Sequence, residues 1–406
     1  MDQPLMRRAL VVFATGAVAA GFGVAAPDAA SADDVVPAPT VTSAVFPSSG
    51  PGPVTRTPGT FTFAVPTSSG VVEFDYVLNG QLSVPPGSNP HVAVGADGTA
   101  TTPVMRSGQW GTNTLTVESV TASGAVSQPT TYTFFLAASA QIDRYSDYDG
   151  DGNIDLLSMG ADGVVGFSAG KGDGSLAPAV AALTTGTDLT GALIAGGGNE
   201  RRGQYQEMFA FKNGQMYDAI GDGLGVFEPG MALVPAPLGT TAWPALTQLF
   251  SPGDLTGHRR ADLIGKAGDQ LFLFSSVVLG RYNAPIAIAG SGWSGRTVIG
   301  VVPAANGLSD LIARDDATGE VWRYPGQAGG TFGDETTRVL VGCGLKAKNF
   351  PLVISKGDAN GDGLPDIWAV HKNGDLFMIP GVAGGGFGEP QNIANRGAWA
   401  GVTALG

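Results

Sequence analysis

The chain has 406 residues, of which 43% are hydrophobic and 14% are charged, and its formal net charge is −13. This length and hydrophobic content exclude a disordered tail and allow two or three domains. The negative charge argues against nucleic acid or an anionic membrane as a partner, because neither offers positive charge to an acidic surface. The 63 glycines exceed the usual share of about 7% and indicate many tight turns, so we predict an all-β protein.

The first 32 residues have the features of an export signal. Arg7 and Arg8 precede an apolar run from Ala9 to Ala26, and a cleavage site of small residues ends at Ala32. We therefore predict a signal peptide over residues 1–32 and a secreted, extracellular protein, with a membrane anchor as the alternative interpretation. After this segment, no stretch approaches the roughly 20 apolar residues that span a bilayer, so we expect no membrane span.

A short Pro/Ala-rich linker over residues 33–39 leads into about a hundred residues in which apolar and polar side chains alternate. This period of two, with turn residues about every ten positions, predicts a β-sandwich over residues 40–138. The run from Gly108 to Val117, which includes Trp110, resembles the penultimate strand region of immunoglobulin-like or fibronectin-like modules of exported bacterial proteins. The resemblance implies an immunoglobulin-like fold and no particular chemistry.

From about Gln141 onwards the sequence repeats. In each unit an acidic residue, which stands at the ninth position of a loop motif, is followed by an apolar pair. The acidic residues are 52, 55, 48 and 56 residues apart and are Asp155, Glu207, Asp262, Asp310 and Asp366. An apolar or aromatic residue follows 20 to 22 positions later in each unit, namely Leu176, Phe227, Tyr282, Phe332 and Phe387. A period near 50 with about four short strands per unit predicts a five-bladed β-propeller over residues 141–406.

The ends of the repeat region indicate how it closes. The first unit lacks the apolar stretch that precedes each of the other units, such as Arg296 to Val302. The chain nevertheless ends with an extra copy of that stretch, Gly397 to Leu405. We therefore predict that this last segment pairs with the strand after Asp155 and leaves no long free edge. An open or truncated array is the alternative.

Two of the five loops have the residues that a divalent cation requires. Oxygen-bearing side chains stand at positions 1, 3, 5 and 9, a glycine at position 6 permits the turn, and position 7 offers its backbone carbonyl. This donor set predicts one Ca²⁺ in each loop, and an Asx-rich turn that binds no ion is the alternative. The predicted ligands are Asp147, Asp149, Asp151, Asn153 and Asp155 in the first acidic loop (residues 147–155), and Asp358, Asn360, Asp362, Leu364 and Asp366 in the second acidic loop (residues 358–366).

The second acidic loop, with its flanking Gly357 and Ile367, resembles the metal loop of FG-GAP or VCBS repeats, which are found in integrin-alpha-like propellers. The resemblance extends over roughly two thirds of the chain, from Gln141 to Gly406. It implies a calcium-binding loop between neighbouring strands of one blade, in an extracellular protein that binds proteins or glycans. An EF-hand is disfavoured because position 12 is Ser158 or Ala369 instead of glutamate.

The remaining loops and the other reactive side chains carry weaker signals. Most ligand positions are lost in the second, third and fourth units, so we expect no calcium there. In the third unit an ion pair between an arginine, Arg259 or Arg260, and an aspartate is expected to replace the cation. The single cysteine, Cys343, follows a glycine in an apolar stretch, which favours a buried thiol. We predict no catalytic residues, because no nucleophile elbow, zinc-binding helix or paired-carboxylate signature occurs.

These observations together predict a non-enzymatic, monomeric binding module. Two calcium ions would hold the loops at the propeller rim, and the fixed loop surface would present polar and aromatic side chains to an extracellular glycan or protein. Two alternatives remain open. One is an enzyme that acts on polysaccharide or cell wall with catalytic residues that we do not recognise, and the other is a structural spacer of an envelope assembly.

Overall fold

The computed structural model describes residues 35–406, apart from residues 84, 86, 184–187, 200–204, 229, 279, 305 and 395–396. The predicted signal peptide and the first two residues of the linker lie outside the described residues. In the part that is described, the regular structure consists of β-strands, which confirms the all-β prediction. No helix in that part has the length and apolar character needed to cross a membrane.

The N-terminal strands form two sheets around one core. Their bounds are β1 (Thr40–Thr42), β2 (Thr62–Ala64), β3 (Val71–Leu78), β4 (His91–Ala93), β5 (Thr99–Thr101), β6 (Gly111–Thr121) and β7 (Thr130–Leu136). One sheet has the order β1-β2-β5, and the other has the order β4-β3-β6-β7. Phe61, Phe74 and Phe134 meet in a buried cluster between the sheets. The sequence alternation produces this core because every second side chain of a strand points to the same face.

The strands of the repeat region form five antiparallel sheets of four strands each, with three additional two-stranded hairpins. Their bounds are β8 (Leu156–Gly160), β9 (Val165–Ser168), β10 (Val180–Ala181), β11 (Leu193–Gly196), β12 (Glu207–Lys212), β13 (Gln215–Ile220), β14 (Ala232–Val234), β15 (Gln248–Gly253), β16 (Asp262–Ala267), β17 (Gln270–Phe274), β18 (Ser276–Val278), β19 (Arg281–Tyr282), β20 (Ile286–Ala287), β21 (Arg296–Pro303), β22 (Ser309–Asp315), β23 (Val321–Tyr324), β24 (Gly326–Gln327), β25 (Thr331–Phe332), β26 (Val339–Gly342), β27 (Leu352–Gly357), β28 (Asp366–Val370), β29 (Leu376–Ile379), β30 (Gly381–Val382), β31 (Gly386–Phe387), β32 (Gln391–Ala394) and β33 (Val402–Leu405). The four-stranded sheets have the orders β33-β8-β9-β10, β11-β12-β13-β14, β15-β16-β17-β20, β21-β22-β23-β26 and β27-β28-β29-β32.

These five sheets are arranged in a ring. The first strand of each sheet contacts the first strands of two neighbouring sheets, in the cyclic order β11, β15, β21, β27, β33 and back to β11. The last strand of the chain, β33, belongs to the sheet of β8, with Val402 paired with Gly160 and Leu405 paired with Ser158. This is the pairing predicted from the extra C-terminal stretch. The innermost position of the first sheet is therefore filled from the other end of the repeat region.

The apolar or aromatic residues that follow the acidic residues by 20 to 22 positions have equivalent places in the five units. Each one pairs with the residue six positions before it. Buried tryptophans such as Trp293 belong to the core. The pairs are Gly170 with Leu176, Gly221 with Phe227, Ser276 with Tyr282, Gly326 with Phe332, and Gly381 with Phe387. The constant offsets in the sequence thus correspond to one recurring hairpin.

The environment of Cys343 differs from the prediction. Its side chain is exposed, so the expectation of a buried thiol is wrong. The residue directly follows β26, the outermost strand of its sheet, in which Val339 and Leu340 are exposed as well. The apolar stretch before the cysteine is therefore an edge strand and not a core strand.

Candidate metal centre

The first acidic loop lies directly before β8 and is shaped by its own backbone amides. Asp147 accepts hydrogen bonds from the amides of Gly150 at 2.7 Å and Gly152 at 3.1 Å. Both glycines have positive φ angles, 75° and 90°, which residues with a Cβ adopt with strain. The glycine-rich spacing of the sequence therefore curls the chain around the carboxylate at position 1.

Three carboxylates of this loop converge. One oxygen atom each of Asp147, Asp149 and Asp151, the carboxylate triad, lies within 4.8 Å of the other two. Oxygen atoms that share one calcium ion, each at 2.3–2.6 Å from it, are at most about 5 Å apart, so this spacing suits a single hard cation. Asp147 is buried, Asp149 is half-buried and Asp151 is exposed. The triad is therefore anchored in the protein and open to solvent at one end.

The surroundings of Asp147 and Asp149 disfavour their ionised carboxylates. Burial raises the pKa of Asp147 to about 6, and the neighbouring carboxylates of Asp143 and Asp149 act in the same direction. Burial and the charge of Asp151 also raise the pKa of Asp149. A raised pKa means that the ionised carboxylate is unfavourable in its surroundings, and a bound cation would remove that cost.

Asp155, the predicted ligand at position 9, has a different environment. It is fully buried, and its carboxylate accepts the amide of Tyr148 at 2.7 Å and the amide of Gly170 at 2.8 Å. Burial raises the pKa of Asp155 to about 8. Its side chain stands outside the carboxylate triad. Its two hydrogen bonds join the acidic loop to the chain that follows β9.

The hydrogen bond of position 9 recurs in other units. Asp262 accepts the amide of Ser276 at 2.9 Å, and Asp366 accepts the amide of Gly381 at 2.9 Å. Asp310 makes the same bond with the amide of Gly326, at 2.8 Å, although its loop has lost most other ligand positions. The acidic residue that marks the repeat therefore holds the loop against the following hairpin. Its recurrence alone does not indicate a metal.

The second acidic loop repeats the turn of the first. Asp358 accepts the amides of Gly361 at 2.7 Å and Gly363 at 2.8 Å, in the same way as Asp147 accepts its two glycine amides. Position 3 is Asn360, whose amide nitrogen donates to Asp362 at 3.1 Å. This loop therefore offers two carboxylates and an amide oxygen where the first loop offers three carboxylates.

The residues at position 7 help to close both loops. The backbone amide of Asn153 donates to Asp151 at 2.8 Å, and the backbone amide of Leu364 donates to Asp362 at 2.8 Å. Their carbonyl oxygens remain the predicted calcium ligands. Asp366 accepts the amide of Asn360 at 3.0 Å, so it is bonded to its own loop as well as to the hairpin.

The degenerate loops are held without the full ligand set. In the third unit Asp254 accepts the backbone amide of Arg259 at 2.7 Å, and Asp262 accepts the hydroxyl of Thr256 at 2.8 Å. An arginine–aspartate pair is present in the fourth unit, where Arg323 Nε lies 3.7 Å from Asp310 Oδ2. Backbone amides and arginine thus supply, in different units, the positive charge that a cation would supply.

The sandwich reaches the first acidic loop through Arg56, which sequence reasoning did not identify. Its guanidinium makes a two-point ion pair with Asp143 and lies 4.5 Å from the centroid of the Tyr205 ring. A Cβ at Gly150 would clash with this guanidinium. Arg56 also opposes the rise in the pKa of Asp149. The sandwich and the ring therefore meet beside the carboxylate triad.

Comparison with known proteins gives distant similarities only. No family model and no curated protein matches the chain. A lectin of Agrocybe aegerita that recognises non-reducing terminal N-acetylglucosamine is 18% identical over 74% of this chain and 82% of that chain, with a TM-score of 0.39. A Burkholderia pseudomallei lectin is 13% identical over 88% of this chain and 98% of that chain, with a TM-score of 0.35. A quinonprotein alcohol dehydrogenase-like protein from Bacteroides thetaiotaomicron is 9% identical over 90% and 98% of the two chains, with a TM-score of 0.36.

Proposed function

We propose that the protein is an exported, calcium-stabilised binding module without enzymatic activity. Its parts would be an immunoglobulin-like sandwich and a five-bladed propeller of the FG-GAP/VCBS type. The observation that carries the proposal is the carboxylate triad of Asp147, Asp149 and Asp151, whose oxygen atoms lie within 4.8 Å of one another. The cyclic order of five four-stranded sheets supports the propeller assignment. The two sheets around one aromatic core support the sandwich assignment.

Calcium suits the first acidic loop because the available ligands are oxygen atoms, most of them charged. The triad and the carbonyl of Asn153 would hold the ion, with Asp155 keeping the loop in shape. The ion would supply positive charge to the buried carboxylates and would fix a loop that otherwise contains mutually repelling groups. The second acidic loop, with Asn360 at position 3, is proposed to bind a second calcium ion more weakly.

The proposed biological role is supported by the position of the first acidic loop. The first acidic loop is next to the junction with the sandwich, where Arg56 contacts Asp143. Calcium would therefore hold the junction and the neighbouring loops in one conformation, which lowers the entropy cost of binding a partner. The proposed partner is an extracellular glycan or protein, bound by a monomer of this chain.

The proposal is tested by metal content and thermal unfolding of the protein that lacks residues 1–32. We expect two calcium ions per chain by elemental analysis and a lower unfolding temperature after chelation. Asp147→Asn should reduce the count to one, whereas Glu389→Gln, which changes an exposed acidic residue outside the loops, should leave it at two. A protein without calcium whose unfolding temperature is unaffected by chelator contradicts the proposal.

A further inference from the structure

We propose that the sandwich carries a binding site for neutral glycan chains, formed by Trp110 and the polar groove beside it. This inference deepens the proposed function, because it names the domain and the class of ligand, and it rests on the protein being a binding module. It does not depend on the identity of the bound metal.

Trp110 presents its indole ring to solvent. Its side chain is 65% exposed, whereas Trp293 and Trp399 are 1% and 7% exposed in the ring of sheets. Single exposed apolar side chains are common on protein surfaces, but tryptophan is enriched among the residues that contribute most to binding. The exposed ring of Trp110 is therefore accessible to a ligand.

The loop that carries Trp110 is held by a buried side chain. Asn113 is 0% exposed, and its amide nitrogen donates to the carbonyls of Gln109 at 2.9 Å and Gly111 at 3.2 Å, the residues on either side of Trp110. The Asn113 oxygen accepts the hydroxyl of Ser107 at 2.6 Å. A fully buried amide thus fixes the backbone around an exposed ring. Such preorganisation reduces the entropy lost on binding.

The ring of sheets supports the same loop from the other side. The hydroxyl of Tyr205 donates to the carbonyl of Gly108, and a Cβ at Gly108 would clash with the carbonyl of Asp222. The amide of Arg56 donates to the carbonyl of Ser107 at 2.8 Å. The loop is therefore held at the junction between the sandwich and the ring, and Trp110 is its exposed residue.

A groove of about 340 Å³ adjoins this loop. It is lined by Asn79, Gly80, Gln81, Gln109, Thr112 and Thr114. None of these residues is charged, and their amides and hydroxyls can both donate and accept hydrogen bonds. Within the described residues, the Gln81 side chain and the hydroxyls of Thr112 and Thr114 make no hydrogen bond, so they are available to a ligand.

A second exposed aromatic side chain lies on the strand next to the groove. Thr112 on β6 is paired with Phe135 on β7, and directly paired residues project from the same face of a sheet. Phe135 is 46% exposed. Phe135 is therefore a second exposed aromatic residue beside the groove, paired with its lining residue Thr112.

This combination of groups fits a neutral glycan. Aromatic rings pack against the C–H faces of sugar rings, while neighbouring amide and hydroxyl groups exchange hydrogen bonds with sugar hydroxyls. The absence of charge in the groove gives no advantage to acidic or basic ligands. The groove is open to solvent, so a chain of sugar units can extend beyond it.

Retention on insoluble cellulose, chitin and β-1,3-glucan, measured in calcium buffer, tests this inference. We expect the wild type to be retained by at least one of these polymers and Trp110→Ala to bind it roughly tenfold more weakly. Trp110→Phe should recover part of the affinity, because it keeps an aromatic face. Leu340→Ala is the matched control, since Leu340 is 51% exposed on the edge strand β26, and it should bind as the wild type does.

Several results would contradict the proposed glycan site. Equal retention of wild type and Trp110→Ala, or no retention on any neutral polymer, contradicts it, and so does retention on acidic alginate alone. If Trp110→Ala does not fold, Gln81→Ala replaces it, because Gln81 is exposed and makes no hydrogen bond, and it should also weaken retention. Failure of the proposed calcium-dependent function would be recognised separately, from the metal count and the effect of chelator on unfolding.

Discussion

The carboxylate of Asp155 accepts the amide of Gly170 at 2.8 Å, and this bond connects the first acidic loop to a segment that also contacts the second. Four residues later, the amide of Gly174 donates to the carbonyl of Ala359 at 2.9 Å, inside the second acidic loop. The indole nitrogen of Trp368 donates to the carbonyl of Gly174 at 3.0 Å. The two acidic loops are therefore joined by residues 170–174, across the boundary between the sheet of β8 and the sheet of β28.

The connection predicts that the two proposed calcium sites are coupled. Asp358→Asn changes a proposed ligand of the second loop, and it should also weaken calcium binding at the first loop by about fivefold, because residues 170–174 lose their fixed position. Calcium titration by calorimetry measures both affinities. Glu389→Gln serves as the charge-matched control. An unchanged affinity at the first loop in Asp358→Asn would show that the sites are independent.

Asp155 and Asp151 are predicted to have separable roles. Asp155→Asn leaves one of two buried amides, that of Tyr148 or Gly170, without an acceptor, so it should lower the free energy of unfolding by about 1–3 kcal/mol even in chelator. Asp151→Asn changes an exposed residue of the triad and should weaken calcium binding with little effect in chelator. Urea denaturation with and without calcium distinguishes the two variants. Identical behaviour of the pair contradicts this assignment.

Removal of residues 402–406 is predicted to destabilise the ring. The deletion takes away β33, so β8 keeps β9 as its one partner and exposes an unpaired edge that other chains can bind. We expect a large drop in the unfolding temperature and concentration-dependent aggregation, both measurable by thermal unfolding and size-exclusion chromatography. A truncated protein that stays monomeric with an unchanged unfolding temperature would show that the ring does not need its last strand.

Asp262 predicts a pH dependence in the third unit. Burial raises its pKa above 3.8, against opposing hydrogen bonds from Ser276 and Thr256. The folded protein then binds this proton more tightly than the unfolded chain, so the stability contributed by Asp262 is greatest at acid pH and falls as the pH rises above about 4. The stability advantage of the wild type over Asp262→Asn should therefore be larger at about pH 4 than at about pH 7. Urea denaturation in chelator at the two pH values tests this, and the opposite trend would contradict the sign.

The sequence predicted the strands, from the alternation of apolar and polar residues, and the number of sheets, from the number of repeats. The extra stretch ending at Leu405 had one place to pair, beside the strand after Asp155, because the first unit was the one without an inner strand. The structure has that pairing. The recurring acidic residue at position 9 was also recognised from the sequence. It was predicted to be a calcium ligand in two loops, and its hydrogen bonds to backbone amides were not predicted. A buried aspartate that accepts backbone amides and one that binds a cation are the same residue type at the same spacing.

Contacts between distant segments were not predictable in this way. Arg56 and Asp143 are 87 positions apart, and no sequence motif contains both of them. Their ion pair at the domain junction therefore could not be predicted from the sequence. Trp110 was recognised only as part of a sandwich strand motif. Its exposure depends on Asn113 and Tyr205, which hold its loop from two different domains.

Calorimetric calcium titration of the chelated wild-type protein and of Asp149→Asn tests the central claim most directly. The two acidic loops predict two calcium ions per wild-type chain, and the variant should lose the tighter one, because Asp149 supplies one of the three converging oxygen atoms of the triad. A wild-type titration without binding heat at any calcium concentration up to the millimolar range, or a variant that keeps both sites, would contradict calcium binding by the triad.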